Sequence, residues 1–294
     1  MRLTILAGLT LAFLPTPAAA QDVTDPPGVS TTDETAPPSA LTVTGSVGIA
    51  SDYRFRGVSR SDRDVAVQGG VTISHESGVY GGAFASTVSG WGAVGGADVE
   101  LDLIAGYRFQ ASEAATLDLG LTYYLFPGGR SETDFFEPYA KLSGTIGPAS
   151  LTAGVAYAPA QQALGRWYAG GASAATGRYD DPGDKEDNLY LWGDASSGIP
   201  GTPLTARAHL GYSNGNRGLG PRATSLAPTG GYWDWLLGAD YAVPGTPLTL
   251  GVAYVDTDIS RREAAYLQPS FSKGQDGRGR IADATLVASL TAAF

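Results

Sequence analysis

The chain has 294 residues, of which 43% are hydrophobic and only 16% charged, against about 25% charged in a soluble domain. Its formal charge of −10, from 19 basic and 29 acidic residues, excludes the basic footprint of a nucleic-acid binder, and the absence of cysteine excludes a disulfide-stapled fold. The 41 glycines and 10% aromatics suit many short strands joined by tight turns, so the expected fold class is all-β.

Arg2 precedes an apolar run from Leu3 to Leu14, and the small-residue site Ala18-Ala19-Ala20 follows. This predicts a cleaved secretory signal over 1–20, because the run is shorter than the roughly 20 residues of a spanning helix. Residues 21–40 are rich in Pro, Thr, Ser and Asp and cannot bury enough surface to fold, so they read as a flexible periplasmic leader. From Leu41 to Phe294 the pattern becomes that of strands.

Leu41, Val43, Val47, Ile49, Tyr53 and Phe55 share one parity, while Thr42, Thr44, Ser46, Asp52, Arg54 and Arg56 share the other, which gives a strand with one apolar and one polar face. Eleven further segments alternate, near 65–73, 79–88, 98–109, 116–126, 135–146, 151–158, 188–196, 204–212, 233–241, 248–257 and 281–294. Their connections are short near 74–78, 110–115, 147–150, 198–203 and 244–247, and longer in between. Twelve strands with alternating short turns and long loops predict an antiparallel up-and-down transmembrane barrel with both mature termini on the periplasmic side. A hairpin repeat supports this register: Leu117, Leu151, Leu204 and Leu248 each open a strand that ends in Tyr123, Tyr157, Tyr212 or Tyr254.

Aromatic residues sort to the two ends of these strands, as expected where rings prefer the headgroup zone of a bilayer. Tyr53, Phe55, Tyr123, Phe136, Tyr157, Tyr212, Trp233 and Tyr254 fall at the long-loop ends, and Tyr107, Phe109, Tyr241 and Phe294 at the short-turn ends. The terminal Phe294, with Leu286 and Leu290 on its parity, is the ending expected to be read by barrel-assembly machinery.

The stretch 51–59 (SDYRFRGVS), with Gln68-Gly69-Gly70, His75, Ser77-Gly78-Val79-Tyr80 and Glu100-Leu101-Asp102 to Gly106-Tyr107, resembles the TorF family. The likeness is densest over 45–110 and looser through Phe294. It implies an exported outer-membrane barrel assigned as a porin, and it brings no catalytic residue with it.

A charge on the lipid face costs about 2–4 kcal/mol for a basic side chain at midplane, so charged strand residues are expected inside. The register places Asp52, Arg54, Arg56, Glu100, Asp102, Arg108, Asp118, Glu137, Lys141, Arg207, His209, Asp234 and Asp240 there as candidate pore-lining residues. Acidic groups outnumber basic ones, which implies modest cation preference if they line an open path. If instead they pair across the lumen, the barrel is closed and serves a structural or surface-interaction role through its loops. The acidic run from Asp180 to Asn188 lacks the ordered spacing of a calcium loop and reads as a solvated loop, so no metal is expected. His75 and Ser77 lie two apart in a turn with no group placed to orient the imidazole, and His209 has no serine at strand spacing. The expectation is therefore no enzyme and no cofactor, with membrane lipid and small solutes or ions as partners.

Overall fold

The computed structural model describes residues 40–89, 97–129, 131–224, 226, 230–267 and 280–294. The expected signal and nearly all of the leader lie outside them. Twelve strands form one closed antiparallel barrel: β1 (Leu41–Ala50), β2 (Ala66–His75), β3 (Val79–Thr87), β4 (Val99–Ser112), β5 (Ala115–Leu125), β6 (Phe135–Ile146), β7 (Ala149–Gln161), β8 (Glu186–Gly198), β9 (Leu204–Asn214), β10 (Gly231–Ala242), β11 (Leu248–Thr257) and β12 (Thr285–Ala293). Each pairs with its chain neighbours, and β1 closes on β12 in the register Ser46↔Ala293 to Ala50↔Ser289. Closure matters energetically because it leaves no edge whose backbone groups would face hydrocarbon unpaired. No helix among the described residues is long and apolar enough to cross a membrane.

The wall has the polarity predicted by alternation. Val43, Leu103, Leu119, Leu142, Leu191, Leu210, Leu237, Val252 and Leu286 are exposed on the outer face. Their neighbours in sequence, such as Asp102, Asp118 and Lys141, are buried on the inner one. An apolar surface that encircles the molecule would be a liability in water and is the correct solvent match in a bilayer. The strands, 9 to 14 residues long, suit a tilted crossing, which needs about 9–11 residues.

Exposed aromatic side chains flank this band at each end. Tyr123, Phe136, Tyr157, Trp233 and Tyr254 are exposed at the long-loop end, and Tyr107, Phe109, Tyr241 and Phe294 at the short-turn end. Phe294 is tied to β1 through backbone hydrogen bonds with Gly45 in both directions. Leu237 lies mid-strand on β10 and is 61% exposed, so Leu237→Arg is expected to cost about 2–4 kcal/mol, whereas Trp233→Arg at the rim should cost about 0–1 kcal/mol. Urea titration in lipid vesicles measures both; equal costs at the two depths would mean that Leu237 does not face a hydrocarbon core.

One expectation fails at the first strand. Alternation carries β1 through Phe55 and puts Tyr53 and Phe55 in the long-loop aromatic ring, but β1 stops at Ala50 and both rings are fully buried. The cause is local. Asp52 accepts hydrogen bonds from Arg54 Nε (2.7 Å), Ser59 Oγ (2.6 Å) and Ser61 Oγ (3.2 Å), and these fold 51–65 back on itself. Within it Arg54–Phe55 pairs with Val58–Ser59 in a minimal hairpin. At its tip Arg56 and Gly57 both take positive φ, 50° and 76°, as a two-residue hairpin turn requires.

Candidate functional site

The hairpin points into the barrel and meets most of its circumference. Arg56 Nη2 pairs with Glu137 of β6 at 2.6 Å, and its guanidinium lies 4.0 Å from the ring centroid of Tyr190 on β8. Arg60 pairs with Glu100 of β4 and stacks over Phe55 at 3.6 Å. Tyr232 of β10 donates to the Arg56 carbonyl at 2.9 Å, and Arg54 Nη1 donates to the carbonyls of Gly57 (2.8 Å) and Asp283 (2.9 Å). A Cβ at Gly57 would collide with Thr257 of β11 and Asp234 of β10, so only glycine lets the tip approach the far wall this closely. Arg54, Arg56 and Arg60 are each 1% exposed.

Loops at the same end cover the hairpin. Phe55 joins a cluster with Tyr124, Phe126, Phe135, Leu164 and Leu226, while Val58 packs with Tyr232, Ile259 and Ile281. The segment is thus held between charged wall below and apolar loop contacts above. Arginine in a left-handed conformation costs on the order of 1–3 kcal/mol, and it persists at Arg56 because the Glu137 pair and the Tyr190 ring over-determine its position.

Below the hairpin the inner wall is asymmetric. On β3 to β6, Asp118 meets Arg108 Nε at 3.2 Å and Lys141 Nζ at 3.5 Å, and accepts from the Tyr80 hydroxyl at 2.6 Å. Across the barrel His209 lies between Asp194 (2.6 Å from Nδ1) and Asp234 (3.1 Å from Nε2), with the Tyr190 hydroxyl 2.9 Å from Nε2. Arg207 pairs with Asp240 at 3.1 Å. By contrast the arc made by β12, β1 and β2 presents Ser46, Gly48, Gln68, Gly70, Thr72, Ser289 and Thr291 without charge. A recess opens on this arc, lined by Ser46, Gly48, Gln68, Phe84, Ser289 and Thr291.

Glycines on the charged side make room for the rings of a neighbouring strand. A Cβ at Gly106 would strike Tyr80, one at Gly120 would strike Tyr139, and one at Gly154 would strike Trp192. The rings therefore lie along the wall over these glycines, with the Tyr80 hydroxyl reaching Asp118 and Tyr139.

All thirteen residues expected inside are on the lumen side. Ten extend from the wall. Asp52, Arg54 and Arg56 instead belong to the inward hairpin and not to a strand face, where alternation puts them. Arg60, Tyr80, Tyr190 and Asp194 are interior partners that alternation alone does not single out. The signal for Arg60 lay in the run Arg54, Arg56, Arg60, because basic residues at that density beyond a strand end need carboxylates.

Outside the barrel, the acidic loop is tied by its own carboxylates: Asp180 accepts from the Ala169 N–H and Asp184 from the Arg166 N–H, both at 2.8 Å. No group of three His, Cys, Asp or Glu residues able to hold a metal occurs among the described residues. The Ala169 N–H, followed by the Ser173 hydroxyl, holds the Asp180 carboxyl below its ordinary value. A depressed carboxylate stabilises the loop above its unfolded pKa of about 3.9 and loses that contribution as pH falls through the lower folded value. Acid proteolysis within 162–187 is expected to increase only below about pH 4 and to be pH-insensitive in Asp180→Asn. Mass mapping of pepsin fragments tests this; an increase already present at pH 5 would assign loop opening to another group.

His75 Nδ1 sits 2.8 Å from Ser77 Oγ and accepts the Ser77 N–H at 3.1 Å, a turn closure on an exposed edge.

A closed, apolar-skinned barrel of twelve antiparallel strands with a polar interior and an inward loop defines the class: a porin-like outer-membrane β-barrel. The chain belongs to the Gcw_chp family, bacterial proteins of unknown function, whose profile matches residues 34–294. Among solved structures it is similar to the NanC porin at 11% identity, covering 85% of this chain and 99% of that one with a TM-score of 0.51. It is also similar to a FadL homologue of Pseudomonas aeruginosa at 12% identity, covering 87% and 75% with a TM-score of 0.44. None of the curated proteins matches the chain.

Proposed function

We propose that the protein is an outer-membrane porin of the TorF type, through which small hydrophilic solutes or ions diffuse passively. The observation that carries the reading is the asymmetric interior: charged side chains on β4 to β6 and β8 to β10 face an uncharged, hydroxyl- and glycine-lined arc with a recess beneath the inward hairpin. A lumen built only to be filled would pack apolar side chains there, because paired buried charges stabilise no better than a well-packed apolar core. The excess of carboxylates over basic groups gives mild cation preference. Residues 1–20 act as the export signal, and the short-turn end of the barrel is periplasmic. The protein carries out no chemistry on what it passes.

A second reading is favoured by one specific observation. Residues 52–62 are almost wholly buried across the long-loop end, with their arginines paired to Glu100 and Glu137, as in a closed barrel that acts through its surface. Single-channel recording of the refolded protein in planar bilayers under a salt gradient decides between the two, with heat-modified gel mobility as the folding control. Discrete steps with cation-selective reversal support the porin; a folded barrel that stays silent supports the closed one.

A further inference from the structure

The lumen-facing carboxylates Glu100, Asp118, Glu137, Asp194, Asp234 and Asp240 each meet a basic group, whereas Asp102 of β4 meets none among the described residues. It is 0% exposed, and neither carboxylate oxygen has a hydrogen-bond partner. Its charged neighbours are Glu100, Arg60 and Glu137; of the two arginines nearby, Arg60 pairs with Glu100 and Arg56 with Glu137 through one nitrogen each, and Arg56 Nε and Nη1 are buried with no hydrogen-bond partner of their own.

The surroundings repeat the deficit. On the adjoining β5, Thr122 is 1% exposed with its Oγ1 unpartnered, and Thr122 stands opposite Glu137 in register. Glu137 Oε1 and Glu100 Oε2 are likewise buried and unpartnered. Oxygens on three adjacent strands are thus short of a donor or a cation, and leaving a buried ionised carboxylate unsatisfied is costly. A proton on Asp102 would supply one donor and leave the remaining acceptors as they are. A small cation that keeps part of its water shell satisfies several at once. The absence among the described residues of three carboxylate or imidazole groups close enough to chelate a metal excludes a divalent ion held directly by protein.

We propose that Asp102, with Thr122 and the free oxygens of Glu100 and Glu137, binds one partly hydrated alkali cation in the lumen beneath the inward hairpin. This deepens the porin reading by placing the source of cation preference at one residue, although the site itself stands on Asp102 whether or not the barrel conducts. Anomalous diffraction from crystals of the full barrel soaked in rubidium chloride is the test. The expected result is a rubidium peak at the Asp102 oxygens that is lost in Asp102→Asn, with the variant folding as judged by heat-modified mobility. Lack of a peak in the natural protein overturns the proposal in favour of a protonated Asp102, and a peak that persists in Asp102→Asn overturns it as an adventitious ion. Should Asp102→Asn fail to fold, Thr122→Val replaces it, with loss of the peak expected and its full retention counting against the site. A silent barrel that shows the peak keeps the cation site and sinks only the porin reading; a conducting barrel without it does the reverse.

Discussion

Replacing Arg60 with Met is expected to destabilise the barrel by about 3–5 kcal/mol, while the double replacement of Arg60 and Glu100 by Met restores most of that loss. Both side chains of this pair are buried, at 1% and 0% exposure. At that burial, bulk solvent does not screen whichever charge is left behind. Arg60→Met keeps an apolar stem against Phe55 but removes the guanidinium that pairs with Glu100 and offsets the repulsion between Glu100 and Asp102 on one strand face. Removing both charges replaces an ion pair by apolar volume, which is close to neutral in buried settings. Urea unfolding of the folded barrel, read by tryptophan fluorescence, gives the three values. A single-variant cost under about 1 kcal/mol would show that the pair is solvated and does not latch the hairpin.

Much of the barrel was legible in the sequence because the bilayer imposes a simple rule on each strand: apolar outward, anything tolerated inward. That rule fixes side and register at Leu103 and Asp102 alike, and it found twelve strands from alternation and loop length. It stops applying where the chain leaves the wall. The run 41–56 alternates throughout, yet only the part through Ala50 is paired into the wall, to β2 along its length and to β12 from Ser46, and beyond it Tyr53 and Phe55 alternate for another reason, as residues of a hairpin buried on all sides. Alternation reports that one face differs from the other, not which solvent lies beyond it. The interior pairing was less legible still. Arg60 and Glu100 are forty residues apart in sequence and meet through the inward hairpin, which no local window contains, whereas His209 meets Asp194 and Asp234 on the two strands hairpinned to its own.

Excising 51–65 and joining Ala50 to Ala66 through Asn-Gly is expected to open the lumen, raising single-channel conductance severalfold and sharpening cation selectivity. The register permits the operation: Ala50 and Ala66 are direct cross-strand partners, so a two-residue turn closes the β1–β2 hairpin without shifting a single pair. What is removed is the only span among the described residues that crosses from β1 to β6, β8, β10 and β11 through the lumen. Four arginines leave with it, Arg54, Arg56, Arg60 and Arg63, against the acidic Asp52, Asp62 and Asp64. Glu100 and Glu137 lose their partners and join Asp102 as a cluster of three wall carboxylates, now hydrated, so the electrostatic cost that burial imposed on Arg60→Met falls away in the wider lumen. Carboxylates facing a water path attract cations and repel anions. The long loops lose the apolar support of Phe55 and Val58, so proteolysis at that end should accelerate while the strands keep their heat-modified mobility. Conductance in planar bilayers under a salt gradient reads the outcome. If the excised barrel folds and its conductance and reversal potential equal those of the full chain, the hairpin does not control the path; if both remain silent, the barrel is closed below it, at the level of His209 and Asp118.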